Sequence, residues 1–210
     1  MLSLCSIAVH AQFAKDIQGT PLREIKYESI DGTPYFLDIW LKGKVSTKSG
    51  KHFVDIPLKY DIVNDKVIFK GKDGNIMDFL EPVSTFEIID ADLSNSYKFT
   101  NGLPITDGLD ASAFFQIIAS GKISLYKRVY KKTTESKDYG SATVKKSFDN
   151  YMAYYVLQNG NLTKISINKK SLIGLLPNKE KEITDYLKKE KTDFKQDSDL
   201  NKFFTYLNEQ

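Results

Sequence analysis

An α+β domain is the fold class this sequence predicts: an antiparallel β meander of hairpins, followed by C-terminal helices packed on the sheet. Three observations carry that expectation. Apolar and polar residues alternate with a period of two through most of residues 35–167. Turn-forming pairs such as Asn64-Asp65, Asp73-Gly74 and Asn159-Gly160 punctuate that stretch. Beyond residue 170 the apolar spacing becomes helical. Strands first and helices last describe one α+β unit, not alternating βα units. The expected division is a leader over 1–11, a β-rich body over 12–170, and a helical tail over 171–210 on the same domain.

The first strand is read where Tyr35, Leu37, Ile39 and Leu41 alternate with Phe36, Asp38, Trp40 and Lys42. A turn over Thr47–Gly50 follows. Val54, Ile56, Leu58, Tyr60 and Ile62 then alternate with Phe53, Asp55, Lys59 and Asp61. Pro57 inside that run has no N–H for a ladder, so it marks an edge or a bulge. Asn64-Asp65 leads into Val67-Ile68-Phe69 as a hairpin, and Val83 to Ile89 form another strand. Residues 90–112 are rich in Asp, Ser, Asn, Gly and Pro, and read as a long connection with a short strand over Tyr97 to Thr100. Strands resume over Ala113–Ile118 and Ile123–Lys132, and residues 133–147 read as a mobile polar loop. Asn159-Gly160 closes a last hairpin between Tyr151–Leu157 and Leu162–Ile167.

The tail opens with a helical turn over Leu172, Ile173, Leu175 and Leu176 that must stop near Pro177. Asn178 is placed to cap a second helix, whose Ile183, Tyr186 and Leu187 form its apolar stripe. Asp197 or Ser198 is placed to cap a third. Its Leu200, Phe203, Phe204 and Leu207 share one face.

Composition narrows the class of protein. The chain has 210 residues, 41% of them hydrophobic and 27% charged, which is enough apolar surface to exclude disorder as the main state. No apolar run reaches the roughly 20 residues a membrane-spanning helix needs. The net charge is +3, with an acidic bias before residue 110 and a basic bias after it. Residues 1–11, MLSLCSIAVHA, read as the end of a secretory signal. Leu2, Leu4, Ile7, Ala8 and Val9 form its apolar run, and Val9 and Ala11 precede a cut before Gln12. The basic front segment of such a leader is missing, which places the true start upstream. Cys5 reads as an apolar leader residue, since Leu4 is too large to precede a lipidated cysteine. The expected location is the periplasm or the cell surface.

Cleavage leaves no cysteine and one histidine, His52. Nucleophile–histidine catalysis and zinc binding are therefore poorly supplied. The sequence has no Gly-x-Ser-x-Gly elbow and no phosphate-binding glycine loop. Asp90-x-Asp92-x-Ser94 opens like a calcium loop, but Asn95 stands where glycine is needed and Asn101 where the closing glutamate belongs. No catalytic residue, metal ligand or cofactor is expected.

The sequence does offer a binding stripe. On the strand Lys122–Lys132, one face carries Ile123, Leu125, Lys127, Val129 and Lys131. The other interleaves Tyr126, Arg128, Tyr130 and Lys132 with Lys122 and Ser124. Tyrosine alternating with cations stacks on rings and pairs with anions. The plainer reading is a half-buried strand whose tyrosines pack across to its neighbours. Trp40 has the same two readings, platform or core. Tyr126, Arg128, Tyr130, Lys132 and Trp40 are thus the candidate binding residues.

Several stretches resemble a known group. They are Thr33-Pro34-Tyr35-Phe36, Trp40-Leu41-Lys42-Gly43-Lys44-Val45, and Pro57-Leu58-Lys59-Tyr60-Asp61 with Val67-Ile68-Phe69 and Phe86. The later ones are Asn101-Gly102-Leu103-Pro104, Ser120-Gly121-Lys122-Ile123, Leu125-Tyr126-Lys127, Tyr154-Tyr155, Asp199-Leu200 and Tyr206-Leu207-Asn208. Together these are similar to an uncharacterised family of small exported proteins from Bacteroidota. The resemblance implies export and a β-rich body with a helical tail. It implies no activity and transfers no functional residue. The expected function is a non-catalytic binding or structural role in the cell envelope. Its partner would be an envelope protein, an anionic glycan or a lipid headgroup, and not nucleic acid. The alternative is a carboxylate-dependent glycan hydrolase.

Overall fold

The computed structural model describes residues 12–13, 17–22, 27, 29–90, 92, 94–137 and 144–209. The leader over 1–11, with Cys5 and His10, lies outside the described residues. Among the described residues thirteen strands form one mostly antiparallel sheet, and helices follow. The strands are β1 (Gln12–Phe13), β2 (Gly19–Pro21), β3 (Ile30–Asp31), β4 (Leu41–Thr47), β5 (His52–Asp61), β6 (Lys66–Lys70) and β7 (Ile76–Phe79). They continue as β8 (Val83–Asp90), β9 (Asn95–Thr100), β10 (Phe115–Ala119), β11 (Ile123–Lys137), β12 (Val144–Gln158) and β13 (Asn161–Ile165). The main path runs β13-β12-β11-β10-β9-β8-β4-β5-β6-β7-β2. The short β1 and β3 add parallel pairings to β5 and β12. No helix among the described residues is long and apolar enough to cross a membrane.

The sheet curls back on itself. Beyond its pairing with β10, β11 meets the end of β5, where the Lys131 N–H donates to the Ile62 carbonyl at 3.1 Å. The enclosed side holds the first core, built on Val45, Ile56, Leu58, Tyr60, Phe86, Ile88, Phe99 and Phe114. Phe86 and Phe99, cross-strand partners, stack with centroids 4.6 Å apart, and Tyr60 and Phe114 meet Phe86 edge-on. Offset and edge-to-face arrangements suit the ring quadrupoles.

The helices α1 (Lys169–Ile173), α2 (Glu180–Lys189) and α3 (Asp197–Asn208) cover β10 to β12 on another face. Leu200, Phe203, Phe204 and Leu207 are buried, as their spacing on α3 predicts, against Ile118, Ile123, Leu125 and Val156. Each fully buried side chain of this kind contributes roughly 1.5–3 kcal/mol. A smaller cluster, with Ala113, Phe115, Tyr126, Tyr155 and Leu162, lies beneath Leu103 and Leu109 of the connection after β9.

Four expectations need correction. Residues 35–40 are not a strand: only Tyr35 bridges to Asp61, and the strand proper begins at Leu41. Here the Lys59 ammonium lies 4.5 Å from the Tyr35 ring and bonds to Asp38 at 2.8 Å, while the backbone pairs only around Tyr35. Phe53, not Val54, joins the core. Asp55 at φ +56° occupies a bulge against β4, and the extra residue reverses the alternation. Pro57 thus sits beside a bulge. Of the expected loop over 133–147, residues 133–137 and 144–147 are strand, and 138–143 lie outside the described residues. The β11–β12 ladder continues from Thr133↔Phe148 to Lys137↔Val144, with β3 alongside β12 at Lys146 and Ser147, because a ladder needs paired backbone rather than an apolar face. Finally, Asn178 and Asp197 are not side-chain caps. Asn178 lies in a 3-10 turn, Pro177–Lys179, and Asp197 is engaged by Lys127 and Tyr154.

Candidate functional site

The chemistry of interest gathers on the face of β11, β12 and β13 opposite the helices. Period-two geometry sends Tyr126, Arg128, Tyr130 and Lys132 of β11 to this face. The register places Tyr155, Ala153, Tyr151 and Asp149 of β12 across from them, and Lys164 of β13 across from Tyr155. The stripe is therefore real as a face, but it is unevenly covered. The segment after β9 folds over its lower part, so Tyr126 and Arg128 are 8% and 7% exposed. Tyr130 is half-buried and Lys132 is exposed.

A pocket of about 410 Å³ opens where the covering segment ends. Arg128, Tyr130, Lys132, Tyr155, Lys164 and Asp107 are among its lining residues. The lip is a tight turn. Thr106 and Leu109 form a bridge, with Asp107 at φ +53° and Gly108 at φ +73° between them. Such two-residue turns favour Asp-Gly because both central residues take the left-handed conformation. The turn aims Asp107 at the sheet. Its Oδ2 accepts from the Tyr155 hydroxyl at 3.0 Å and from Lys164 Nζ at 2.8 Å. Oδ1 takes no bond from the described residues.

Electrostatics follow from these contacts. The Lys164 and Tyr155 bonds hold the Asp107 carboxyl below the usual carboxylate range, so it is ionised. Burial, followed by Asp107, pushes the Tyr155 hydroxyl up to about 12, so it stays a donor. Asp107 raises the Lys164 ammonium in turn. Lys132 has a different setting. Tyr130 and Tyr151 stack nearly parallel at 5.3 Å, and the Lys132 ammonium lies 5.8 and 5.5 Å from their centroids. It forms no ion pair among the described residues: Asp149, its partner across the ladder, accepts from the Thr134 hydroxyl at 3.1 Å instead. Lys131 also lines the pocket, but the Thr33 and Tyr35 carbonyls hold its ammonium, and burial lowers its pKa.

Arg128 anchors the floor. Its Nη2 meets Asp65 Oδ2 at 2.8 Å, and its Nη1 donates to the Tyr60 hydroxyl and the Phe114 carbonyl. Its Nε is the one buried side-chain polar atom without a partner among the described residues. Burial raises the Asp65 carboxyl, while the Arg128 charge opposes that rise.

The five sequence-derived candidates thus separate. Arg128, Tyr130 and Lys132 meet at one pocket. Tyr126 lies in the small core beneath the covering segment. Trp40 stands elsewhere, with Lys59 Nζ 5.4 Å from its ring. Sequence reasoning gave Asp107, Tyr155 and Lys164 no part in a site. Two signals pointed to them: Asp107-Gly108 as a turn pair, and Asn159-Gly160, whose hairpin register sets Tyr155 opposite Lys164.

Two other polar groupings bear on catalysis. Ser46 Oγ and His52 Nδ1 lie 2.8 Å apart, but they face each other across the exposed β4–β5 hairpin. A second pocket, of about 280 Å³, is lined by the carboxylates Asp65, Asp78 and Glu81. Each carries a cation: Arg128, Lys66 and Lys51 respectively. Among the described residues no group of three or more His, Cys, Asp or Glu is placed to hold a metal. No protein-family model, curated protein or solved structure matches the chain.

Proposed function

We propose that this chain is a non-catalytic binding protein of the cell envelope, and that the pocket between β11–β13 and the Asp107 turn takes an anionic ligand. The observation that carries the reading is Lys132, an exposed ammonium beside two stacked tyrosines at the pocket that forms no ion pair among the described residues, the carboxylate across from it, Asp149, being bonded to Thr134. Such a cation beside rings attracts an anion without first giving up an ion pair. The signal-like residues 1–11 support export.

The test is retention of the exported chain on immobilised acidic and neutral polymers across a salt series. Retention by acidic polymers that falls with salt, and falls further in Lys132→Ala, supports the reading. Retention unchanged by Lys132→Ala and Tyr130→Ala removes the pocket from it. Release of cleavage products from a glycan would favour the hydrolase alternative. Mass spectrometry of the native N-terminus tests export: a chain found in the cytosol with residues 1–11 attached overturns it.

A further inference from the structure

We infer that the ligand of this pocket is a sugar bearing a carboxylate, an inference that rests on the pocket's reading as an anion site. Three groups with different chemical demands converge here. Lys132 offers an exposed cation that forms no ion pair among the described residues. Tyr130 offers ring surface, half-buried and held in place by its stack on Tyr151. Asp107 offers Oδ1, an ionised acceptor left open while Oδ2 is bound to Tyr155 and Lys164.

A bare inorganic anion satisfies only the first demand. Phosphate at neutral pH brings further negative charge towards Asp107 and has little with which to answer its open oxygen. Like charges at close range disfavour binding. A neutral sugar satisfies the other two demands but leaves Lys132 unanswered. An acidic sugar answers all three: carboxylate to Lys132, apolar C–H face to Tyr130, and hydroxyl to Asp107 Oδ1. The volume of about 410 Å³ falls in the roughly 300–1,000 Å³ span of small-molecule pockets. Arg128, 93% buried on the floor and paired with Asp65, leaves only its Nε without a partner among the described residues.

The experiment is an NMR titration of the full exported chain with D-glucuronate, D-glucose and inorganic phosphate. Glucuronate should shift the resonances of Tyr130, Lys132 and Asp107, with glucose and phosphate each about tenfold weaker, the worth of one charge-assisted bond. Lys132→Gln, at an exposed site, should bring glucuronate down to the level of glucose. Asp107→Asn keeps a turn-competent residue at the lip; it should weaken glucuronate and strengthen phosphate, because Lys164 is released. Phosphate binding as tightly as glucuronate overturns the sugar assignment and leaves the anion site standing. Glucose binding as tightly as glucuronate overturns the anion site itself. Absence of binding by all three probes overturns both.

Discussion

Asn208, near the end of α3, closes both backbone groups of Ile123 on β11. Its Oδ1 accepts the Ile123 N–H at 2.8 Å, and its Nδ2 donates to the Ile123 carbonyl at 2.9 Å. β10 pairs with β11 only from Leu125 onward, so the amide stands in for a strand that has already turned away. The helical tail is thereby tied to the sheet by hydrogen bonds as well as by the apolar face of α3.

Asn208→Ala should therefore cost about 2–4 kcal/mol in chemical denaturation, since two backbone groups lose their partner in a buried setting. Gly121 depends on the same contact, because a Cβ there would lie 2.4 Å from the Asn208 amide. That amide also bonds to the Phe204 carbonyl and cannot swing aside freely. Gly121→Ala should cost about 1–3 kcal/mol by overpacking. In the Asn208→Ala background it should cost markedly less. Simple addition of the two losses would refute the coupling.

The Arg128–Asp65 pair sets a second expectation. Arg128→Met leaves a mostly buried carboxylate facing the Tyr60 hydroxyl and the Phe114 N–H without its cation. Breaking such a pair from one side costs about 3–5 kcal/mol, whereas replacing both partners costs far less. The double variant Arg128→Met with Asp65→Leu should recover much of the loss in a thermal melt. A double variant as unstable as the sum of the singles would contradict this account.

Gly43 tests the bulge. A Cβ there would sit 2.4 Å from both the Glu87 carbonyl oxygen and Leu58 Cδ1, and backbone cannot yield as a side-chain tip can. Gly43→Ala should belong to the uncommon changes above about 4 kcal/mol. For a chain of this size that means a fall in Tm of about 10 °C. A fall within two degrees would show that β4 and β8 can part locally.

Alkaline pH should unfold the protein through its tyrosines. Burial, helped by Asp61, Asp197 and Asp107 respectively, raises the hydroxyls of Tyr27, Tyr154 and Tyr155, the last to about 12. Burial raises Tyr60 as well. A group raised in the folded state adds stability that is complete below its unfolded pKa, about 10, and is lost as pH climbs towards the folded value. Tyrosinate absorbance should lag behind that of free tyrosine between pH 10 and 12, then rise together with loss of structure. Tyr155→Phe should flatten part of that fall. Absorbance that follows free tyrosine while the fold persists would argue against these buried bonds.

Local chemistry made much of the sheet legible. Asn64-Asp65 and Asn159-Gly160 close the hairpins expected of them, and the α3 face is buried where helical spacing puts it. The bulge at Asp55 was not legible in position. Pro57 announced an irregularity, but the extra residue that moved Phe53 into the core depends on how β4 lies alongside. The reach of β11 and β12 beyond residue 133 was hidden for a related reason. Polar residues on both faces of an exposed ribbon carry no alternation to read.

By itself the chain determined that Tyr126, Arg128, Tyr130 and Lys132 share one face, since a period of two is a property of each strand's own backbone. Only the tertiary structure decided which of them meet solvent. The segment between β9 and β10 folds back over the lower half of that face, burying Tyr126 and Arg128 while Lys132 stays open and Asp107 arrives at the edge. Covering is a contact between residues far apart in sequence. Its outcome depends on where a whole connection lies, which alternation within one strand does not encode.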